Sequence, residues 1–130
     1  MDSHLECSAC HASYAIRDLI NLCAACGSPL LVRYALEPNP PLRDAIRTRR
    51  ADMWRYREVL PAVSESEIVS LGEGVTPLLP SRRRPNLFIK DESKNPTRSF
   101  KSRGMSAAVT MARKLGARSL AAPTAGNAGA

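Results

Sequence analysis

The four cysteines fall in two pairs, Cys7-Ser8-Ala9-Cys10 and Cys23-Ala24-Ala25-Cys26, with twelve residues between them, and no other feature constrains the fold of this chain as tightly. Two thiolates separated by two residues can turn toward one ion on a tight knuckle. A second knuckle then completes a tetrahedron with no open position, which is the spacing of a structural zinc site. Cys7, Cys10, Cys23 and Cys26 are therefore the candidate metal ligands, and a bound zinc would hold structure and not perform catalysis. Gly27 suits the positive φ of such a knuckle, and Tyr14-Ala15-Ile16 and Leu30-Leu31-Val32 are candidate strands of a small ribbon. Two rivals share the pattern. Cys7 to His11 also matches the C-x-x-C-H haem attachment sequence, but no export signal accompanies it and the second pair would be left unexplained. Two disulfides are disfavoured by a cytosolic redox poise. His4 and His11 are read as exposed, since four cysteines already complete a ligand set.

At 130 residues the chain has room for a small metal module and part of a larger domain, not for a two-domain enzyme. Hydrophobic content of 44% and charged content of 24% are globular values. No apolar run is long enough to cross a bilayer, and the first residues lack the basic and apolar regions of a secretion signal, so a cytoplasmic protein without membrane partners is expected. Nineteen Lys and Arg against 12 Asp and Glu give a formal charge of +7, which admits nucleic acid or phosphorylated small molecules as partners. Six arginines lie between Arg43 and Arg57, and Arg82-Arg83-Arg84 form a second cluster. They read as solvated charge, and a nucleic-acid partner is disfavoured.

The proline-rich run Leu36 to Pro41 marks an extended linker. The chain thus divides into a zinc-ribbon-like segment at 1–36, a linker and helix at 37–60, and the beginning of a larger domain at 61–130. Leu42 to Leu60 carries a helical pattern stopped by Pro61, with Trp54 and Tyr56 as anchors. Ile68 to Leu71 reads as extended. Leu87 to Lys90 is the best strand candidate; a helix should follow, started by Ser99, carrying Ala107, Ala108, Met111, Ala112 and Leu115, and stopped at Gly116. Ser119 to Ala122 reads as a second strand, and Thr124 to Gly129 as a glycine turn opening another helix. Strand, helix and strand in that order predict an α/β fold with a parallel βαβ unit preceded by a small four-cysteine ribbon. Ala130 would then lie inside an opening helix, which reads as a truncation.

Ser99-Phe100-Lys101 places a lysine in the first turn of a helix, where the helix dipole disfavours a cation. A neutral amine is what a Schiff base to a carbonyl cofactor requires. From spacing alone, an ordinary surface lysine explains Lys101 as well. Gly126 and Gly129 allow backbone to approach a ligand, and amides at a helix start form an anion site, although one such loop is a weak motif.

Three segments give a more specific signal together: Leu71-Gly72-Glu73-Gly74-Val75-Thr76-Pro77-Leu78, then Lys90 to Gly104 with Asn95-Pro96-Thr97-Arg98-Ser99-Phe100-Lys101, then Ala122-Pro123-Thr124-Ala125-Gly126-Asn127-Ala128-Gly129. In this order they resemble the signature segments of the threonine synthase family and its fold-type II pyridoxal-phosphate relatives, closely over the second half of the chain and more loosely over the first. The resemblance implies part of a tryptophan synthase β-like catalytic fold. It also implies pyridoxal 5′-phosphate as cofactor, with structural zinc in the ribbon, and a homodimer as the whole enzyme. By position, Lys101 matches the catalytic lysine that bonds the cofactor and shuttles protons, and Asn127 the asparagine that hydrogen-bonds the cofactor's phenolic oxygen. Thr124, Ala125, Gly126, Asn127 and Ala128 match the loop that receives the substrate's α-carboxylate.

The implied reaction is that of a lyase of threonine biosynthesis, converting O-phospho-L-homoserine, a phosphorylated amino acid, and water to L-threonine and phosphate. Two departures from the family pattern bear on substrate: Arg98 stands where glycine is usual, and Ser102 where aspartate is common. Because the family's glycine-rich phosphate loop lies beyond the position of Ala130, the 130-residue chain alone is expected to be inactive. Alternatives are another fold-type II lyase, such as threonine dehydratase or cysteate synthase, or a zinc-ribbon module that binds nucleic acid.

Overall fold

The computed structural model describes residues 3–38 and 42–129. The first unit is a three-stranded antiparallel ribbon in the order β2-β1-β3, built from β1 (Ser3–Cys7), β2 (Ser13–Ala15) and β3 (Leu30–Tyr34). The two expected strands are present, and between them runs β1, which the sequence pattern did not reveal. Leu5 faces Tyr14 on one side and Val32 on the other. Side chains alternate along a strand, so Leu5 and Cys7 share the buried face while Glu6 turns outward to pair with Arg33 at 2.7 Å. Five residues with one apolar partner and one cysteine inside carry too short an alternation to stand out in sequence.

The single helix expected over Leu42 to Leu60 is instead two pieces: α1 (Leu42–Arg47) and a 3-10 segment, Met53–Val59, itself bent at Tyr56. The interruption has a local cause. The Asp52 carboxylate accepts a hydrogen bond from the Trp54 N–H at 3.0 Å, taking a donor that a continuous helix would direct to a carbonyl. Arg49 braces the second piece by a two-pronged pair with Glu58 at 2.6 and 2.7 Å. Trp54 is buried as expected, but Tyr56 is exposed and anchors nothing.

Strand β5 (Phe88–Lys90) lies where the sequence placed it, but it pairs antiparallel with β4 (Leu78–Pro80), Leu79 opposite Ile89, in a hairpin closed over the arginine cluster. The expected strand at Ser119 to Ala122 does not form, and so the parallel βαβ pairing is absent among the described residues. A strand exists only where a neighbouring strand meets its backbone groups, and this segment has none. Total exposed surface is 9535 Å², against about 6,700 Å² for a compact monomer of this mass. The hairpin's Leu78, Phe88 and Ile89 are accordingly exposed.

Helix α2 (Lys101–Lys114) is the central element of the second half. Ser99 Oγ accepts from the Lys101 N–H at 3.2 Å, so Ser99 starts the helix as expected. At the other end Gly116 has φ +84°, with Gly116 N–H bonded to the Arg113 carbonyl and Ala117 N–H to that of Ala112, which closes the last turn as a Schellman motif. The face that α2 buries is not the expected one. Ala107, Ala108, Met111, Ala112 and Leu115 are half-buried or exposed, while Ser102, Ser106 and Thr110 are buried. Four residues apart, they form one polar stripe, and each hydroxyl is used. Ser106 Oγ accepts from Trp54 Nε1 at 2.9 Å and donates to the Val69 carbonyl at 2.7 Å; Thr110 Oγ1 accepts from the Val69 N–H at 2.9 Å.

Replacing Ser106 by Ala leaves the Trp54 indole N–H and the Val69 carbonyl without their shared partner in buried surroundings. The expected cost is about 1–3 kcal/mol. Denaturant unfolding followed by the emission of Trp54, the one tryptophan, measures it.

Candidate metal centre and lysine-bearing site

The cysteine centre is assembled by the knuckle at Cys7 to Cys10, which continues from β1, and by the turn at Cys23 to Cys26, where Gly27 has φ +70° as expected. All four Sγ atoms lie within 4.8 Å of one another. The Cys7–Cys26 separation is 3.4 Å and the Cys10–Cys23 separation 3.6 Å, and the four are free cysteines. Four thiolates at about 2.3 Å from one ion stand about 3.8 Å apart, so the donor set fits tetrahedral zinc after a small expansion. Ala9 and Cys10 turn their N–H groups toward Cys7 Sγ at 3.4 Å, which disperses thiolate charge. Tyr14 makes an outer contact that sequence reading missed: its hydroxyl lies 3.1 Å from Cys23 Sγ and accepts from the Ala24 N–H. That hydroxyl holds the Cys23 thiol down to about 6, favouring the thiolate a metal needs. His4 and His11 are exposed and outside the cluster.

A different network supports the start of α2. The Arg103 guanidinium grips Glu92 with two bonds of 2.8 Å, Thr76 Oγ1 donates to Glu92 Oε1 at 2.6 Å, and Asn95 Nδ2 donates to Glu92 Oε2 at 2.8 Å. Asn95 Oδ1 in turn accepts from the Gly74 N–H at 3.1 Å. The Arg103 pair, followed by the Thr76 and Asn95 bonds, holds the Glu92 carboxyl down at about 2. Gly74 has φ +123°, and a Cβ there would fall 2.5 Å from the Met53 nitrogen, so only glycine lets these two segments meet. Nothing in the spacing of Thr76, Glu92, Asn95 and Arg103 announces that they converge.

Lys101 is the first residue of α2, and its side chain is exposed. Among the described residues its Nζ has no hydrogen bond or ion pair; it lies over the Phe100 ring, 5.3 Å from the centroid. A carbonyl cofactor requires a primary amine free of competing partners, and this amine fits that requirement. Arg98, which replaces the usual glycine, has φ +54°, a left-handed conformation that costs a side chain about 1–2 kcal/mol, and its side chain is exposed.

Thr124 to Gly129 forms a tight turn and not a helix start among the described residues. Thr124 Oγ1 accepts from the Gly126 N–H at 2.9 Å, and Gly129 N–H reaches the Gly126 carbonyl at 2.9 Å. Asn127 and Ala128 line a cleft of about 190 Å³ together with Thr97, Ser102 and Ser106 from the α2 side and Glu73 from the loop before β4. Lys101 is not among the residues that line that cleft, while Asn127 lies there with Ser102 and Ser106 on the flank of α2.

The carboxyl of Glu92 lies below its ordinary value of 4.5, so its contribution to stability is full above that pH and is lost as pH falls toward 2. Glu92→Gln is expected to cost about 1.5–3 kcal/mol at neutral pH, with the difference from the unaltered protein closing between pH 4.5 and 2 in urea titrations.

Residues 69–130 match the model of a family described as pyridoxal-phosphate dependent enzyme. Over 96% of its length the chain is 37% identical to threonine synthase of Methanocaldococcus jannaschii, and over 98% it is 35% identical to threonine synthase of Methanosarcina acetivorans. Threonine synthase of Halalkalibacterium halodurans is 38% identical over 62% of the chain. The chain spans 33% and 32% of the two archaeal proteins, about a third of each. No solved structure matches it. Along nearly its whole length the chain is similar to two threonine synthases, and its residues 69–130 match the pyridoxal-phosphate dependent enzyme family.

Proposed function

We propose that this chain is part of a lyase that converts O-phospho-L-homoserine and water to L-threonine and phosphate. The observation that carries the reading is similarity to threonine synthases over 96% and 98% of the chain, in which the segment bearing Lys101 lies within the matched family region. When bound, pyridoxal phosphate supplies the electron sink for bond breaking next to the substrate's amino-bearing carbon. Lys101 Nζ would hold the cofactor's aldehyde carbon and then accept and return a proton, which suits an amine without a competing partner. Asn127 would donate from its amide to the phenolic oxygen. The backbone from Thr124 to Ala128 would receive the substrate's carboxylate. Fold-type II architecture, with residues 61–130 in the catalytic domain, belongs to the same reading.

The ribbon at 1–36 is proposed to carry one zinc on Cys7, Cys10, Cys23 and Cys26. Purified protein is expected to contain one zinc per chain, and a strong chelator to abolish hydrogen-exchange protection in Ser3 to Cys7 while sparing α2. Metal analysis finding no zinc in reduced protein would remove the ion from this reading.

For the activity, the intact gene product is assayed for phosphate released from O-phospho-L-homoserine with equimolar threonine. Lys101→Ala is expected to lower kcat by at least about 10²–10⁴-fold. Deamination of threonine or serine without phosphate release would instead favour a dehydratase.

A further inference from the structure

The four cysteines that converge on one point are not equivalent. Cys7 and Cys23 are buried, 0% and 3% exposed, whereas Cys10 and Cys26 are exposed to solvent. The asymmetry follows from the path of the chain. Cys7 is the last residue of β1 and shares its inward face with Leu5, while Cys10 lies three residues further on, past the turn of the first knuckle. Cys23 has the Tyr14 hydroxyl 3.1 Å from its sulfur, while Cys26 lies past the second turn, beside Gly27 with its positive φ. Each knuckle thus offers one buried sulfur and one exposed sulfur.

Distance does not choose partners within the cluster. Cys7 is 3.4 Å from Cys26, Cys10 is 3.6 Å from Cys23, and Cys10 is 3.6 Å from Cys26. Around a tetrahedral ion the four sulfurs become evenly spaced. Exposure does choose, because of these pairs only Cys10 and Cys26 unite two sulfurs that a dissolved reagent can reach. Cysteine oxidation follows thiolate character and access, and metal ligation supplies the thiolate.

We infer that Cys10 and Cys26 form an oxidation site for hydrogen peroxide: the two exposed thiolates, one from each knuckle, join in a disulfide and the ion is released. The first sulfur to react breaks the peroxide O–O bond with a lone pair, becoming a sulfenic acid and releasing hydroxide. The second, 3.6 Å away, attacks that sulfur and displaces its oxygen as a second hydroxide. Two thiolates thereby lose two electrons, one peroxide gains them, and protons from water convert both hydroxides to water. With two of four ligands gone the zinc leaves, and Cys7 and Cys23 stay reduced. The inference rests on the proposed zinc centre and goes beyond it, since that reading gives four sulfurs one task and exposure divides them.

The test treats the intact, reduced and zinc-loaded protein with one equivalent of hydrogen peroxide, which catalase then removes. Remaining thiols are capped with N-ethylmaleimide, and the disulfide is located by fragmentation mass spectrometry after cleavage at Arg17, which lies between the knuckles. The expected product carries caps on Cys7 and Cys23, with the Cys10–Cys26 bond in at least about tenfold excess over any pairing that includes a buried cysteine. One zinc is expected to leave per disulfide, read with a chromogenic chelator, and dithiothreitol is expected to restore four thiols and zinc binding. A first disulfide that includes Cys7 or Cys23, sulfinic acid without a disulfide, zinc retained by the oxidised protein, or no reaction would overturn the inference. Zinc is measured before oxidation, so reduced protein without zinc counts against the metal reading alone. The position of the first disulfide in that protein still decides between the exposed pair and the others.

Discussion

The second half of the chain depends on the hydroxyl of Ser106, which takes the indole N–H of Trp54 and gives its own proton to the Val69 carbonyl. Three segments far apart in sequence thereby share one buried oxygen. Thr110 repeats the arrangement one turn later on the Val69 N–H, and Ser102 one turn earlier on Thr97. A helix fixed by polar bonds has its rotation about its own axis specified, because each hydroxyl must meet one partner at hydrogen-bond distance. An apolar stripe of alanines and methionines would tolerate slippage.

That rotation sets what faces outward at the start of α2. With Ser102 turned inward, Arg103 reaches Glu92, and Lys101 projects from the first turn with its amine uncommitted. The Glu92 network ties the loop after β5 to the loop before β4 through Thr76, Asn95 and Gly74. The placement of that amine thus rests on groups that never touch it. The cysteine centre is organised separately, by a ribbon in which Leu5 is the one buried apolar side chain besides cysteine among the described residues, and a ribbon with so small a core has few means of stability besides a metal.

Much of the local structure was legible because it follows from single residues. Ser99 starts α2 and Gly116 ends it, as their chemistry requires, and Gly27 takes its positive φ beside Cys26. Longer patterns misled where a side chain competed with the backbone. Asp52 captured the Trp54 N–H and split a helix that the apolar spacing ran through Leu60. Ser119 to Ala122 has the composition of a buried strand, yet a strand needs a neighbour, and among the described residues no strand pairs with this segment.

The sequence alone determined the candidate metal ligands, the lysine at a helix start and the family segments, since these are matters of residue type and short spacing. It did not determine the partners of Glu92 or the burial of Ser102, Ser106 and Thr110. Those are meetings of residues far apart along the chain, up to 52 positions for Trp54 and Ser106, and only the closed backbone brings such groups within hydrogen-bond reach. Tertiary structure also decided that Asn127 shares a cleft with Ser102 and Ser106, on the flank of α2 that the serine stripe faces.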